Sequence, residues 1–125
     1  MSEGMEMPIA VHDLEGGITR VVLSGRIDIA GVQEIDIPMS VIAGSRRAVV
    51  IDLSGVSFIA SMGLRCLVSA AKMVSSKQGR MVLLSPNANV ETTIKTTGID
   101  TVIPIFHDAE EASRAVNQHA LGTPH

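Results

Sequence analysis

The hydrophobic residues near the start of the chain predict a short β-strand. Ile9, Val11 and Leu14 form a short apolar series, and the sequence "EGG" at residues 15–17 follows it as a turn signal. The next run, "ITRVVLSG", has strand character up to Gly25. This pattern predicts an N-terminal β-hairpin that ends at Gly25.

In the following segment the hydrophobic residues recur at intervals of three and four, which predicts a helix. Pro38 falls inside this segment, and a proline in a helix interior destabilises it by about 3 kcal/mol. We therefore expect the helix to be kinked or split into two shorter pieces there. The apolar residues that define it are Val32, Ile35, Met39 and Ile42.

The centre of the chain has the pattern of a strand–helix–strand unit. "AVVIDL" and "MVLL" are apolar without alternation, which is typical of strands covered on both faces in a parallel sheet. Between them, apolar residues at helical spacing predict a helix over residues 61–76. A turn of small residues is expected to join the first strand to this helix, and it contains Ser54, Ser57 and Ser61.

The last third of the chain predicts two more helices with one strand between them. Ser85 is the expected N-cap of the first helix, with Pro86 at its first position and Gly98 as its stop. "TVIPIF" is interpreted as a short edge strand because it contains a proline. Asp108 is the expected N-cap of the final helix, with a glutamate three residues later.

These elements predict an α/β fold in the order β-β-α-β-α-β-α-β-α. An N-terminal hairpin followed by parallel strand–helix units implies a mixed β-sheet with helices packed against it. A chain of 125 residues is the size of one domain, so we expect a single domain over residues 1–125. Residues 1–6 and 121–125 are expected to be frayed.

Composition narrows the classes of function. A net charge of −3, no Trp or Tyr and only two Phe argue against a nucleic-acid-binding surface. No apolar run approaches the roughly 18 residues of a membrane span, and the first residues lack a secretory signal pattern. A single cysteine, Cys66, fits a reducing compartment. We therefore expect a cytoplasmic protein without membrane insertion.

The sequence gives no positive sign of catalysis. The four histidines are scattered, and Cys66 borders an apolar helix stripe, so we predict no metal site and a packed, inert thiol. The turn "GVSFIASMG" is neither a Walker loop nor a nucleophile elbow. We predict no catalytic residue and no cofactor, although a triad or a ligand pocket assembled from distant residues stays open.

Ser61, at the expected helix start, has two possible roles. Serine is a preferred N-cap residue and contributes about 1 kcal/mol there. The same position suits a phosphoserine, because a helix N-terminus has partial positive charge and free N–H groups. Phosphorylation would add about −1.5 to −2 charges to the surface.

The segment "VVIDLSGVSFIASMGLRCLV" resembles the signature of STAS domains, the anti-sigma factor antagonists. The earlier "LSGRIDIAG" resembles the family's Leu-x-Gly-x-Leu-Asp segment, and the length and element order also match. The family has an aspartate before its acceptor serine and a second serine after it, where this sequence has Ala60 and Met62. The residues in register are Asp52, Leu53, Ser54, Phe58, Ser61, Gly63 and Leu64.

The resemblance implies a phosphorylation switch. In this family the unphosphorylated antagonist binds a serine kinase that is also an anti-sigma factor, and so frees a sigma factor. Phosphorylation of the acceptor serine, here Ser61, weakens that binding, and a PP2C-type phosphatase restores it. The resemblance also implies a partner-binding surface near Ser61, made of Asp28, Ser54, Ile59, Met62, Gly63 and Arg65.

Two functions follow as hypotheses. The first is a non-enzymatic anti-sigma factor antagonist controlled by phosphorylation of Ser61, regulating sigma-factor-dependent transcription. The alternative is a constitutive STAS subunit or scaffold of a transport or stress-signalling complex, without control by phosphorylation. The sequence does not fix the oligomeric state.

Overall fold

The structure, a computed structural model, describes residues 8–120 and contains one sheet with helices on both faces. Its strands are β1 (Ile9–Leu14), β2 (Ile18–Ile27), β3 (Ala48–Ile59), β4 (Arg80–Leu84) and β5 (Ile105–Phe106). Its helices are α1 (Ile29–Ser45), α2 (Ser61–Ser76), α3 (Ala88–Thr96) and α4 (Ala109–Ala120).

The five strands pair in sequence order, β1-β2-β3-β4-β5. β1 is antiparallel to β2, whereas β2 to β5 are mutually parallel. The predicted hairpin, the mixed sheet and the edge position of β5 are therefore confirmed, and so is the α/β order of elements. The predicted fraying of residues 1–6 and 121–125 concerns segments outside the described residues.

Two hydrophobic clusters fill the space between the sheet and the helices. The larger cluster joins strand residues such as Leu23 and Ile51 to α1, α2 and α3. The smaller one joins Val50 and Val82 to Ala112 and other residues of α4. Because β3 and β4 contribute to both clusters, they are buried on both faces, which explains their uninterrupted apolar sequences.

Helix α1 is longer than its proline suggested. It runs unbroken from Ile29 to Ser45 with Pro38 inside, so the predicted split is wrong. Buried residues before and after the proline, Ile35 at 0% and Met39 at 2% exposure, fix both halves of the helix against the same core. This packing outweighs the local penalty of the proline.

Strands β2 and β3 also extend beyond their predicted ends. Gly25 does not end β2, which continues to Ile27; Gly25 has φ = 82° at a point where the register with β3 shifts. Strand β3 continues through the serine-rich segment to Ile59, so Ser54 and Ser57 lie in a strand and not in a turn. The irregular pairing accommodates extra residues in β3, as β-bulges do.

The start of α3 differs from the prediction, whereas the start of α4 agrees with it. The N-cap of α3 is Asn87, whose Oδ1 accepts a hydrogen bond from the Val90 N–H at 2.8 Å, so the assignment of Ser85 and Pro86 was wrong. The Nδ2 group of Asn87 donates to the Val56 carbonyl at 3.0 Å, and this tertiary contact fixes where α3 starts. Asp108 directly precedes α4, as predicted, and its carboxylate accepts from the Glu110 N–H at 3.3 Å.

Candidate partner-binding site

The connections that follow β2 and β3 meet at the carboxyl-terminal edge of the sheet, where these parallel strands end. These parallel strands end at Ile27 and Ile59, which are paired in the sheet. The Ala60 N–H donates to the Ile27 carbonyl at 3.0 Å, so the two connections are joined directly. Asp28 and Ser61, which directly follow these joined residues, lie at this edge as predicted.

Ser61 is exposed and is the first residue of α2, so the predicted helix start is correct. Its predicted role as N-cap is wrong. The N-cap is Ala60, which is extended at φ = −97° and ψ = 174° and makes no side-chain cap hydrogen bond. The Ser61 hydroxyl is therefore not the group that caps α2.

Gly63 allows α2 to approach the ends of the strands. A Cβ atom on this residue would lie 2.7 Å from Ile27 Cγ2 and 2.9 Å from Ile59 Cγ1, which is closer than side-chain atoms tolerate. Ile59 itself is only 4% exposed. Gly63 and Ile59 therefore support the site from beneath, whereas Met62 and Arg65 are on its surface.

Asp28 is partly exposed, and it also has a structural role. It is the N-cap of α1, and its Oδ1 accepts a hydrogen bond from the Gly31 N–H at 3.0 Å. Its Oδ2 lies 3.6 Å from Arg26 Nε. The Gly31 N–H and then the Arg26 charge hold the pKa of Asp28 below its ordinary value, so the carboxylate is ionised at neutral pH.

Asp52 stabilises the irregular part of β3 that leads to this edge. It is buried, and its Oδ2 accepts from Arg20 Nε at 3.2 Å while its Oδ1 accepts from the Ser54 N–H at 2.9 Å. Burial raises the pKa of Asp52, but the hydrogen bonds from Arg20 and Ser54 outweigh it, and the pKa falls below its ordinary value. The exposed Ser54 is therefore held within β3, five residues before the strand ends.

Two surface residues at this edge were not among the predicted site residues. Phe58 is 39% exposed, and the Arg26 guanidinium lies 4.4 Å from the centre of its ring. The two residues are directly paired between β2 and β3. The sequence offered a weak signal, since Phe58 is one of only two phenylalanines, but the pairing with Arg26 depends on the register. Exposed Ile29 and Met62 add apolar surface.

Other possible chemical sites lie apart from Ser61 or carry no reactive group. Burial raises the pKa of the Cys66 thiol to about 11, and the nearby Asp36 adds to this effect, so the thiol is protonated and inert, as predicted. Among the described residues, no three His, Cys, Asp or Glu side chains are grouped to hold a metal ion. A groove of about 550 Å³ adjoins the other end of α2, near Ser76 and Arg80. Within residues 8–120, no helix combines the length and apolarity needed to cross a membrane.

Comparisons with known proteins give consistent results. BtrV of Bordetella bronchiseptica, provisionally named an anti-sigma factor antagonist, is 29% identical over 101 residues, which is 79% of this chain and 86% of BtrV. An anti-sigma factor antagonist from Mycobacterium paratuberculosis is 28% identical; the match covers 93% of this chain and 98% of that chain, with a TM-score of 0.75.

The phosphorylated form of SpoIIAA from Bacillus has the same fold at 17% identity. The match covers 86% of this chain and 98% of that chain, with a TM-score of 0.67. The sequence profile of the STAS domain matches residues 12–112 of this chain. The sheet order, the segment at the start of α2 and this match agree, and the chain belongs to the STAS domain family.

Proposed function

We propose that this protein is a non-enzymatic anti-sigma factor antagonist of the cytoplasm, controlled by phosphorylation of Ser61. Unphosphorylated, it binds a serine kinase that acts as an anti-sigma factor, and transcription by the released sigma factor follows. Phosphorylation of Ser61 releases the kinase, and a PP2C-type phosphatase reverses the modification. The names of the relatives and the existence of SpoIIAA in a phosphorylated form support this proposal.

The observation that carries the proposal is the position of Ser61. Its side chain is exposed at the first residue of α2, beside a surface with an aromatic ring, an exposed methionine and charged groups. Neither the core nor the cap of α2 depends on its hydroxyl. A kinase can therefore reach it, and a phosphate there leaves the packing unchanged.

The chemical step is the transfer of a phosphoryl group from ATP. A bond forms between Ser61 Oγ and the γ-phosphorus, and the bond from that phosphorus to the oxygen of ADP breaks. The hydroxyl proton passes to a base of the kinase. This chain supplies only the acceptor hydroxyl, and the kinase supplies the catalytic groups.

The charge of a phosphate on Ser61 is sufficient to weaken partner binding by the amount that a switch requires. A hundredfold loss of affinity corresponds to about 2.7 kcal/mol. The modification adds about two negative charges, and a contact surface that carries like charge or excludes water opposes them by several kcal/mol. We therefore expect the partner to bind through the side chains near Ser61, which are Asp28, Met62, Arg65, Arg26 and Phe58, and to extend along β3 as far as Ser54. Ile59 and Gly63 support them from below.

The test compares two variants of the acceptor with a matched control. Ser61→Asp should weaken binding to an anti-sigma factor serine kinase from the same organism by at least about tenfold, whereas Ser61→Ala should bind like the wild type. Ser69→Asp is the control, since Ser69 is also exposed on α2 but lies two turns further along. Binding is measured by isothermal titration calorimetry.

Phosphorylation is tested separately by incubation with that kinase and ATP, followed by mass spectrometry of the intact chain and its peptides. A single phosphate on Ser61, absent in Ser61→Ala, is the expected result. Equal affinities for Ser61→Asp and Ser61→Ala, with no phosphate on Ser61, would favour the constitutive STAS subunit instead.

A further inference from the structure

The two arginines at the edge that carries Ser61 differ in their surroundings. Arg26 is engaged by the Phe58 ring at 4.4 Å and by the Asp28 carboxylate at 3.6 Å. Arg65 is exposed on α2. Among the residues whose side chains the structure describes, no carboxylate lies within 4.0 Å of the Arg65 guanidinium. Among the described side chains, Arg65 is therefore the arginine at this edge that has no carboxylate partner and can pair with a new anion.

Helix geometry places Arg65 beside Ser61. The two residues are four positions apart in the continuous helix α2, which begins at Ser61. Side chains with this spacing are neighbours on a helix surface, with Cβ atoms about 5–6 Å apart. Long side chains on a helix also lean toward its N-terminus, so we expect the Arg65 guanidinium to reach the Ser61 side chain.

We propose that Arg65 is the counter-ion of the phosphate when Ser61 is phosphorylated. The planar guanidinium can donate two parallel hydrogen bonds to phosphate oxygens. The inference rests on the proposed function, since it assumes phosphorylation of Ser61, and it adds a second effect of the modification. The phosphate introduces negative charge and also withdraws a cation from the partner-binding surface.

Two carboxylates of the neighbouring elements, Asp36 and Asp28, have contacts of their own. Asp36 of α1 lies against the neighbouring Cys66, with its Oδ1 3.9 Å from the thiol sulfur. Asp28 is already held by Arg26 and by the Gly31 N–H. A phosphate dianion carries about twice the charge of either carboxylate, and neither Asp28 nor Asp36 lies within 4.0 Å of the Arg65 guanidinium, so we expect the phosphate to be its preferred partner.

The experiment measures the second pKa of the phosphate by ³¹P NMR, on full-length protein with phosphoserine installed at position 61 during translation. This pKa is about 6 for a free phosphoserine. We expect Arg65→Gln to raise it by about 0.4 unit relative to the wild type, the equivalent of one exposed i,i+4 ion pair. Arg65→Lys, which keeps the charge but loses the planar fork, should raise it by less.

Lys72→Gln is the matched control for charge. It removes one positive charge from an exposed position of the same helix. Lys72 lies 11 residues from Ser61, or about 16 Å along the helix axis, which exceeds the screening length of about 8 Å at physiological salt. Its pKa should therefore match that of the wild type to within about 0.1 unit. Circular dichroism confirms that each variant is folded.

Two results would overturn the assignment of Arg65. One is an unchanged phosphate pKa in Arg65→Gln, and the other is an equal rise in Lys72→Gln. A second readout, the Nε–H signal of Arg65 in a ¹H–¹⁵N spectrum, should shift on phosphorylation of the wild type and return when the phosphate is removed. These measurements need no partner, so their outcome is independent of whether Ser61→Asp affects kinase binding.

Discussion

Replacement of Ala60 by aspartate should stabilise the protein, because α2 lacks a side-chain N-cap. Two other helices show what such a cap does in this fold. The side chains of Asp28 and Asn87 each accept a hydrogen bond from the N–H three residues later, at 3.0 and 2.8 Å. Ala60 has the same extended backbone, at φ = −97° and ψ = 174°. An aspartate there would accept from the Gly63 N–H.

The expected gain follows from the value of a helix cap. Exchanging alanine for aspartate at an N-cap is worth about 1 kcal/mol, and the negative charge near the helix N-terminus adds about 0.3–1 kcal/mol at low salt. For a domain of this size, 1 kcal/mol raises the melting temperature by about 4 °C. Ala60 is half-buried, so the new carboxylate keeps contact with water and its burial does not offset the gain.

Urea unfolding followed by circular dichroism measures this gain, with Ala60→Asn as the neutral control. Both variants should be stabilised if the cap hydrogen bond is responsible, and only the extra part seen with aspartate should disappear at high salt. If neither variant unfolds at a higher urea concentration than the wild type, the start of α2 is not limited by a missing cap and the reasoning is refuted.

Two further substitutions test how this edge is held. Asp52→Asn should reduce the free energy of unfolding by about 1–2 kcal/mol, a discounted value because Arg20 is 36% exposed. Because the folded pKa of Asp52 is lowered, its contribution is present above the unfolded pKa of about 3.9 and is lost as the pH falls through the lower folded value. Urea unfolding between pH 7 and pH 3 should therefore show the difference between wild type and Asp52→Asn shrinking with acidity; a constant difference would contradict the ion pair. Gly63→Ala should destabilise the protein by about 1–3 kcal/mol, because its Cβ would lie 2.7 Å from Ile27 Cγ2. Gly44→Ala is its control, since that Cβ would meet only Met73 Sδ at 3.7 Å, and equal effects of the two substitutions would contradict the close approach at Gly63.

The parts of the fold that the sequence predicted well are those with a regular period. The helix bounds of α2 were predicted because its apolar stripe depends only on local spacing. The end of β3 was missed because a strand can continue through polar residues when its neighbour pairs irregularly, as β2 does near Gly25. The destabilising effect of Pro38 on α1 was overestimated for a related reason, since the core contacts that hold α1 together are not visible in its local sequence.

The candidate site was predicted in part for similar reasons. Asp28 was expected near Ser61 because of the resemblance to the STAS family, and the structure brings the two residues to one edge because β2 and β3 are parallel and end together. The burial of Ile59 and the pairing of Arg26 with Phe58 depend on the register between β2 and β3, which a single sequence does not fix. The cap of α2 was misassigned because serine propensity alone does not decide whether a serine is the N-cap or the first residue of the helix.

Around Ser61, the contacts that stabilise the fold lie apart from the surface that we propose binds the partner. Beneath the serine, Gly63 packs on Ile27 and the Ala60 N–H bonds to the Ile27 carbonyl, so the backbone is fixed by contacts that exclude the hydroxyl. Above it, Met62 and Arg65 are exposed. A charge added to the hydroxyl therefore acts mainly on what binds the surface, because the interactions that determine folding lie on the other side of the helix. This division explains how one small modification could weaken the binding of a partner while the domain stays folded.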